Sequence, residues 1–445
     1  MDTVLLTGAA SGIGRATAWR LARLGRRCVL VDRNAEALEV LLGQLRGAGG
    51  EVAGTSVANA SVANASTGNT AVASTPATKT PAAAAPTASA IDHLAFVADL
   101  TDPDQINALA ADMPPLDAII NNAGMTDASN LPVIEQTDRD WQRLLDLNLH
   151  APARLLRALR ERLTRHARIV NVASGAGLHA IPLRGAYSPS KAGLIAQTQA
   201  LARAHPDLRV SVLCPGFVQT ELVDALIASG RLDPVRAVAK IPLGRLAAPE
   251  ELACALAFLS SQDAAPLSGG RLSVDGGSSR FGGSQAYVPQ TIAPVPCDTP
   301  LSLTVHGHWT ALADATEDAN EDGNVDANPQ DGYPAILDAS VLDSPPGGRL
   351  AATLAAARRH GRASAPGSLT LLLPRAAQGD WEHAGDDAAA RMLIATLACE
   401  WGPHARRINA VEVASATPDP ALSPLLRFVA GAQAQYLTGQ TLCTR

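Results

Sequence analysis

Tyr187 and Lys191 stand four positions apart where a helical pattern begins, so their side chains share one helix face. A phenol titrates near ~10 and is a poor base at neutral pH. An adjacent ammonium favours the phenolate and lowers that value, which brings the oxygen into the working range of a general acid or base. Ser174 lies in Asn-Val-Ala-Ser-Gly, just past the strand-like run Arg168–Ala173. In an open parallel sheet, ligands bind beyond the carboxyl ends of the strands, so this serine points into the same crevice. Singly, these residues read as a half-buried aromatic, a solvated helix lysine and a turn serine. As a set they suit proton transfer at a carbinol or carbonyl oxygen.

A second group of residues suits a nucleotide. The apolar run Val4-Leu5-Leu6-Thr7 enters Gly8-Ala9-Ala10-Ser11-Gly12-Ile13-Gly14, and a helical pattern follows at once. Gly8 permits a tight turn, Gly12 lets the backbone approach a pyrophosphate, and Gly14 allows close helix–sheet packing. The helix N-terminus offers free N–H groups to phosphates. A glycine-rich turn alone is only a strand-to-helix connection. Here Asp32 ends the next apolar run, 18 residues beyond Gly14, near the ~20 expected for a carboxylate on the ribose diol. That carboxylate accepts from both ribose hydroxyls of NAD and repels the 2′-phosphate of NADP. Arg33 could meet such a phosphate, but Ser11 adds no positive charge, so NAD is expected over NADP.

In chain order, Thr7-Gly8-x-x-x-Gly12-Ile13-Gly14, Asp99-Leu100, Asn121-Asn122-Ala123-Gly124, Asn148, Ser174, Tyr187-x-x-x-Lys191 and Pro215-Gly216 resemble the short-chain dehydrogenases/reductases. The resemblance implies that Tyr187 is the general acid/base on the carbinol oxygen and that Ser174 hydrogen-bonds that oxygen. It implies that Lys191 also holds the nicotinamide ribose and that Asn148 seats a water in a proton relay. The cofactor would lie on Thr7, Gly8, Ser11, Gly12, Ile13 and Gly14, with Asp32 and Arg33 at the ribose. Asp99 and Leu100 would face the adenine, and Asn122, Ala123 and Gly124 the adenosine. The segment with Pro215, Gly216, Val218 and Thr220 would hold the carboxamide, and the stretch to about Leu246 would form a substrate lid. His150, His179 and His205 have no partners at metal-ligand spacing, and no metal is expected.

The elements that must position these residues alternate. Strand-like runs at Thr3–Thr7, Cys28–Val31, Leu94–Ala98, Ala118–Asn121, Arg168–Ala173, Arg209–Cys214 and Arg271–Val274 are separated by helical patterns, among them Asp138–His166 and Ser188–Ala204. This alternation predicts an α/β fold with a doubly wound, mostly parallel, Rossmann-like sheet. The 445 residues suit more than one domain. Residues 1–277 form the expected catalytic domain, interrupted at 53–90 by an Ala/Thr/Ser/Asn-rich tract too poor in core-forming residues to order itself. Residues 278–332, rich in Gly, Pro and acidic side chains, are expected to link it to a smaller domain at 333–445.

That last third carries a fainter echo. Ser368–Leu373 is strand-like, Arg407–Val413 resembles Arg209–Cys214, and Tyr436–Leu442 resembles Leu267–Leu272. Alignment puts His383 at the place of Tyr187 and Asp387 at that of Lys191, with no glycine loop before them. A degenerate, inactive second copy is expected, acting as an internal pseudo-subunit whose helix Ala388–Glu400 covers the faces of Asp138–His166 and Ser188–Ala204. Association of like chains is the other use for those faces. Asp318–Asp326 matches half a calcium loop, but Pro329 stands where the bidentate Glu belongs, so a solvated acidic linker is expected.

With 36 Lys+Arg against 42 Asp+Glu, the net charge of −6 offers no basic footprint for nucleic acid or anionic membrane. No apolar stretch spans a bilayer, no secretory leader is visible at residues 1–8, and the six cysteines form no CxxC pair. A cytoplasmic, NAD-dependent oxidoreductase of a small secondary alcohol or ketone is therefore expected. The alternatives are an NADPH-dependent 3-oxoacyl-thioester reductase and a nucleotide-binding scaffold or sensor.

Overall fold

The computed structural model describes residues 1–48, 91–127, 129–230, 232–309, 332–361, 366–375 and 381–444. The low-complexity tract 53–90 and the calcium-like loop Asp318–Pro329 lie outside them. Thr3–Thr7 (β1) is buried along its whole length, the pattern of a central parallel strand covered on both faces. The chain continues through Gly12–Arg23 (α1), Arg27–Asp32 (β2), Ala35–Ala48 (α2), Leu94–Val97 (β3), Pro103–Ala111 (α3) and Leu116–Asn121 (β4). Then come Asp138–Leu145 (α4), Ala151–Ala158 (α5), Leu163–Val172 (β5), Tyr187–Ala204 (α6) and Arg209–Pro215 (β6). Glu221–Ala228 (α7), Pro234–Val238 (α8), Pro249–Leu259 (α9) and Arg271–Val274 (β7) complete this part. The strands form one parallel sheet in the order β3-β2-β1-β4-β5-β6-β7. The order reverses between β1 and β4, so the loops after these strands part and open a crevice at their carboxyl ends. This is the doubly wound, Rossmann-like α/β fold that the alternation implied.

The helical reading of Asp138–His166 needs correction. A single π-helical turn at Asp146–His150 separates α4 from α5, and the chain is already a strand at Leu163. Leu163 pairs with Leu116, and the register slips before Arg168 pairs with Ala118. Pairing with β4, distant in sequence, overrides the local helical pattern there.

A second, smaller parallel sheet follows, with the order β12-β11-β10-β9-β8. Its elements are Leu301–His306 (β8), Tyr333–Asp338 (β9), Arg349–His360 (α10), Gly367–Pro374 (β10), Trp381–Trp401 (α11), Arg406–Val413 (β11), Ser423–Ala430 (α12) and Thr441–Cys443 (β12). The segment read as a linker with little structure thus supplies an edge strand. Leu303 and Val305 of β8 pack against the main core, which compensates for the polar composition around them.

The two sheets share one hydrophobic core through α9 and α12. From Leu252 to Leu259 every α9 side chain is buried, and the ring of Phe258 stacks on Phe428 of α12 with centroids 4.0 Å apart. The Tyr436 hydroxyl donates to the Arg245 carbonyl at 2.8 Å, and the Gly276 N–H donates to the Tyr436 carbonyl at 3.0 Å. The expectation that the 388–400 helix would cover the long helices is therefore corrected. α11 packs chiefly on α10 and β11, and its Met392 is 65% exposed. A helix that is apolar all round, as α9 is, needs cover on both sides, and that need sets the docking face. A groove of about 340 Å³, lined by Leu156, Arg157, Leu201 and His205 among others, runs between α5 and α6. Among the described residues, no helix is long and apolar enough to cross a membrane.

Candidate active site

The glycine loop and the loop after β4 are stitched into one surface. The Thr7 hydroxyl oxygen accepts the N–H groups of Asn122 and Ala123, both at 3.0 Å. The Asn122 amide donates back to the carbonyls of Thr7 and Gly8, at 3.0 and 3.1 Å. Gly8 has φ +64°, and a Cβ on Gly14 would sit 1.9 Å from the Gly8 carbonyl oxygen, so neither position admits a side chain. Behind Gly12-Ile13-Gly14 runs α1, whose cap residue Ser11 makes no side-chain capping bond. The first N–H groups of this helix face the crevice and suit an anion.

At the end of β2 the Asp32 carboxylate accepts the N–H groups of Ala10 and Asn34, each at 3.0 Å, which fixes it beside the glycine loop. Arg33 is exposed next to it. Asp99 accepts from both the N–H and the hydroxyl of Thr101. Burial pushes the Asp99 carboxyl up, but these bonds and the nearby Arg33 outweigh it and hold the group below its ordinary value. Leu100 is buried beside it. On the other side of the crevice, Gly216 donates its N–H to Val274, Val218 pairs with Ala247, and Thr220 caps α7 by accepting the Val223 N–H.

The catalytic candidates converge as their spacing implied. Ser174 sits just past β5, at the cap of a short turn, where its hydroxyl oxygen accepts the Ala176 N–H at 3.1 Å. The same hydroxyl faces the Tyr187 phenol and favours its charged form. Lys191, one turn along α6, is 4% exposed and donates from Nζ to the Val172 carbonyl at 2.9 Å. A Cβ on Gly124 would lie 3.2 Å from Asn148 Oδ1 and 3.3 Å from Lys191 Nζ, so all three groups border one small space.

The electrostatics differ from the expectation. Burial pushes the Tyr187 phenol above its ordinary value, and the nearby Ser174 hydroxyl works against that rise. Burial pulls the Lys191 ammonium down from 10.5 to about 8. The phenol is therefore governed first by its own desolvation, because Lys191 turns its Nζ to a backbone carbonyl.

Asn148 lies in the π-helical turn, almost fully buried. Its amide clasps Met125, accepting the N–H at 3.0 Å and donating to the carbonyl at 2.9 Å, and it also donates to Ser190 Oγ at 3.2 Å. The side chain is thus fully occupied in holding the loop after β4. Residues to which the sequence reading gave no role support the site. Asn121, Asn171 and Thr198 form a buried chain of hydrogen bonds, at 2.7 and 2.9 Å, that ties β4, β5 and α6 together beneath it. Ser190, three residues after Tyr187, donates to the Tyr187 carbonyl at 2.8 Å. Its signal was its place on the Asn148 side of the helix, visible only once α4 and α6 are packed. His150 bonds Asp146, His205 lines the α5–α6 groove, and His179 is exposed.

A glycine cradle closed to any Cβ, a helix N-terminus without a side-chain cap and a carboxylate at the end of β2 fit a dinucleotide. A serine–tyrosine pair with a buried lysine lies alongside, and together these features define a nicotinamide-dependent oxidoreductase. Residues 2–67 match the family profile described as short chain dehydrogenase, and residues 50–279 match the profile described as Enoyl-(Acyl carrier protein) reductase. The chain belongs to the short-chain dehydrogenase/reductase family, and acts on CH–OH groups with NAD(P).

Among its relatives, a 3-oxoacyl-(acyl-carrier-protein) reductase of Thermotoga maritima is 28% identical over 61% of this chain and 96% of its own length. A D-threitol dehydrogenase of Mycolicibacterium smegmatis is 32% identical over 61% of this chain and 91% of its own. A solved structure described as an NAD(P) dependent gluconate 5-dehydrogenase from Beutenbergia cavernae, with NADP bound at low occupancy, aligns with a TM-score of 0.50 at 27% identity. It covers 62% of this chain and 96% of that one.

Proposed function

We propose that the enzyme interconverts a small secondary alcohol and the corresponding ketone, with Tyr187 as the general acid/base. The observation that carries this reading is the convergence of Ser174, the Tyr187 phenol and the buried Lys191 at the carboxyl end of β5. A phenol raised by burial stays protonated at neutral pH, so Tyr187 is ready to donate to a carbonyl oxygen as that oxygen gains charge. Ser174 would hold the same oxygen in line. Lys191 would hold the nicotinamide ribose and favour the phenolate left after transfer. The bound nicotinamide supplies or accepts the hydride. Asn148 would act through its turn: its side chain is committed to Met125 and Ser190, and a π-helical turn loosens the backbone carbonyls that could seat a relay water.

NAD is the proposed cofactor, because a carboxylate held beside the glycine loop at the end of β2 would accept from the ribose hydroxyls and repel a 2′-phosphate. A second reading, reduction of 3-oxoacyl thioesters with NADPH, is favoured by the relatives that carry that name across nearly their whole length. Initial rates with NADH and NADPH, on an acetoacetyl thioester and on a panel of small ketones, separate the two. A clear NADPH preference with turnover confined to the thioester would displace the first reading. A pure nucleotide sensor is disfavoured, since it would gain nothing from burying an ammonium beside a phenol.

The 333–445 region is proposed to be a degenerate copy without catalysis of its own. It has His383 and Asp387 in place of the tyrosine and lysine, and Asp387 is paired with Arg349.

A further inference from the structure

Glu221 is the first residue of α7, and its carboxylate reaches back across the crevice to the glycine loop. Oε2 accepts the Gly12 N–H at 3.1 Å, and Oε1 pairs with the Arg15 guanidinium. Gly12 opens α1, and the cap residue before it makes no side-chain bond, so this N–H has no partner within its own helix. A helix N-terminus and a guanidinium together form a site for an anionic oxygen group. Here that anion comes from a residue 209 positions away.

The contact is close. The Thr220 methyl would lie 3.2 Å from a Cβ built on Gly12, so the start of α7 rests directly on the loop. Both side chains are about half exposed, at 49% for Arg15 and 52% for Glu221, so an incoming ligand can reach the pair and the pair can open. Burial raises the Glu221 carboxyl, but backbone bonds and Arg15 outweigh this and keep it below its ordinary value.

We propose that Glu221 is an internal stand-in for the cofactor phosphate, an anionic latch that a dinucleotide must displace from Gly12 and Arg15. This rests on the dinucleotide reading of the glycine loop. The pyrophosphate and the carboxylate compete for the same donors and repel one another, so binding of the first expels the second. Release of Glu221 also frees the first turn of α7, which links cofactor entry to the segment that leads toward the substrate side of the crevice. The residue thereby lowers cofactor affinity and sets the order of events at the crevice.

The test is Glu221→Gln, which keeps the shape of the side chain and removes its charge. NADH binding is followed by its fluorescence. ADP-ribose, which carries the pyrophosphate without the nicotinamide, is followed by calorimetry. Both dissociation constants should fall about three- to tenfold in the variant, the scale of an exposed ion pair plus the relieved repulsion. Arg15→Ala in the Glu221→Gln background should reverse part of that gain for both ligands. Unchanged or weaker ADP-ribose binding in Glu221→Gln would overturn the latch. Tightening of NADH alone would also overturn it, by placing the effect at the nicotinamide end. Failure of the wild type to bind either NADH or NADPH would instead bring down the dinucleotide reading, and the latch with it.

Discussion

Lys191→Met should make the ligand-free protein slightly more stable while removing its activity. The ammonium is buried, and its pKa is pulled from 10.5 to about 8. At about 1.36 kcal/mol per pH unit, holding it charged in the folded state at neutral pH costs about 3 kcal/mol. Methionine has a similar unbranched reach and carries no charge, so the cost disappears. The Val172 carbonyl loses its donor, which returns about 1–3 kcal/mol. The balance is a gain of about 0–2 kcal/mol, or a few degrees in Tm at pH 7.

The sign with pH is fixed. A lysine whose folded pKa is depressed penalises the fold fully below about 8, and the penalty fades as pH rises from there toward 10.5. The melting advantage of Lys191→Met should therefore be largest below pH 8 and shrink steadily above it. Thermal melts of both proteins without dinucleotide, across pH 6.5–10.5, measure this; omitting ligand avoids its stabilisation by mass action. A Tm several degrees lower for the variant at pH 7, with a difference flat in pH, would refute the reasoning. It would mean that the lysine stabilises the fold through its contacts.

Tyr187→Phe should cut turnover by about 10²–10⁴ while dinucleotide affinity stays within about twofold, and retention of more than about a tenth of the activity would remove Tyr187 from the acid/base role. Asp32→Ala should weaken NADH about 10- to 100-fold, the scale of lost hydrogen bonds to a charged group, and narrow discrimination against NADPH. A wild type that already prefers NADPH in paired titrations would contradict that role for Asp32. Phe428→Ala should destabilise the protein by about 3–5 kcal/mol in denaturant unfolding, because its ring is buried against Phe258. A loss below about 1 kcal/mol would show that the α9–α12 junction contributes little to the fold.

The sequence by itself determined whatever depends on short separations. Strand and helix periods place Gly8, Gly12 and Gly14 in one turn, Asp32 at the next strand end, and Tyr187 and Lys191 on one helix face. The parallel-sheet rule then brings Ser174 to them. Tertiary structure decided everything that depends on pairing between distant segments. Leu163 belongs to a strand because it meets Leu116, and β8 forms in a polar stretch because β9 offers it an edge. The smaller sheet docks on α9 because that helix is apolar on every side, a property that a search for one amphipathic stripe misses. The titration of Lys191 and Tyr187 was equally out of reach. Four-residue spacing announces that an ammonium and a phenol are neighbours, but their pKa values follow from desolvation, and desolvation is set by what the rest of the chain packs around them.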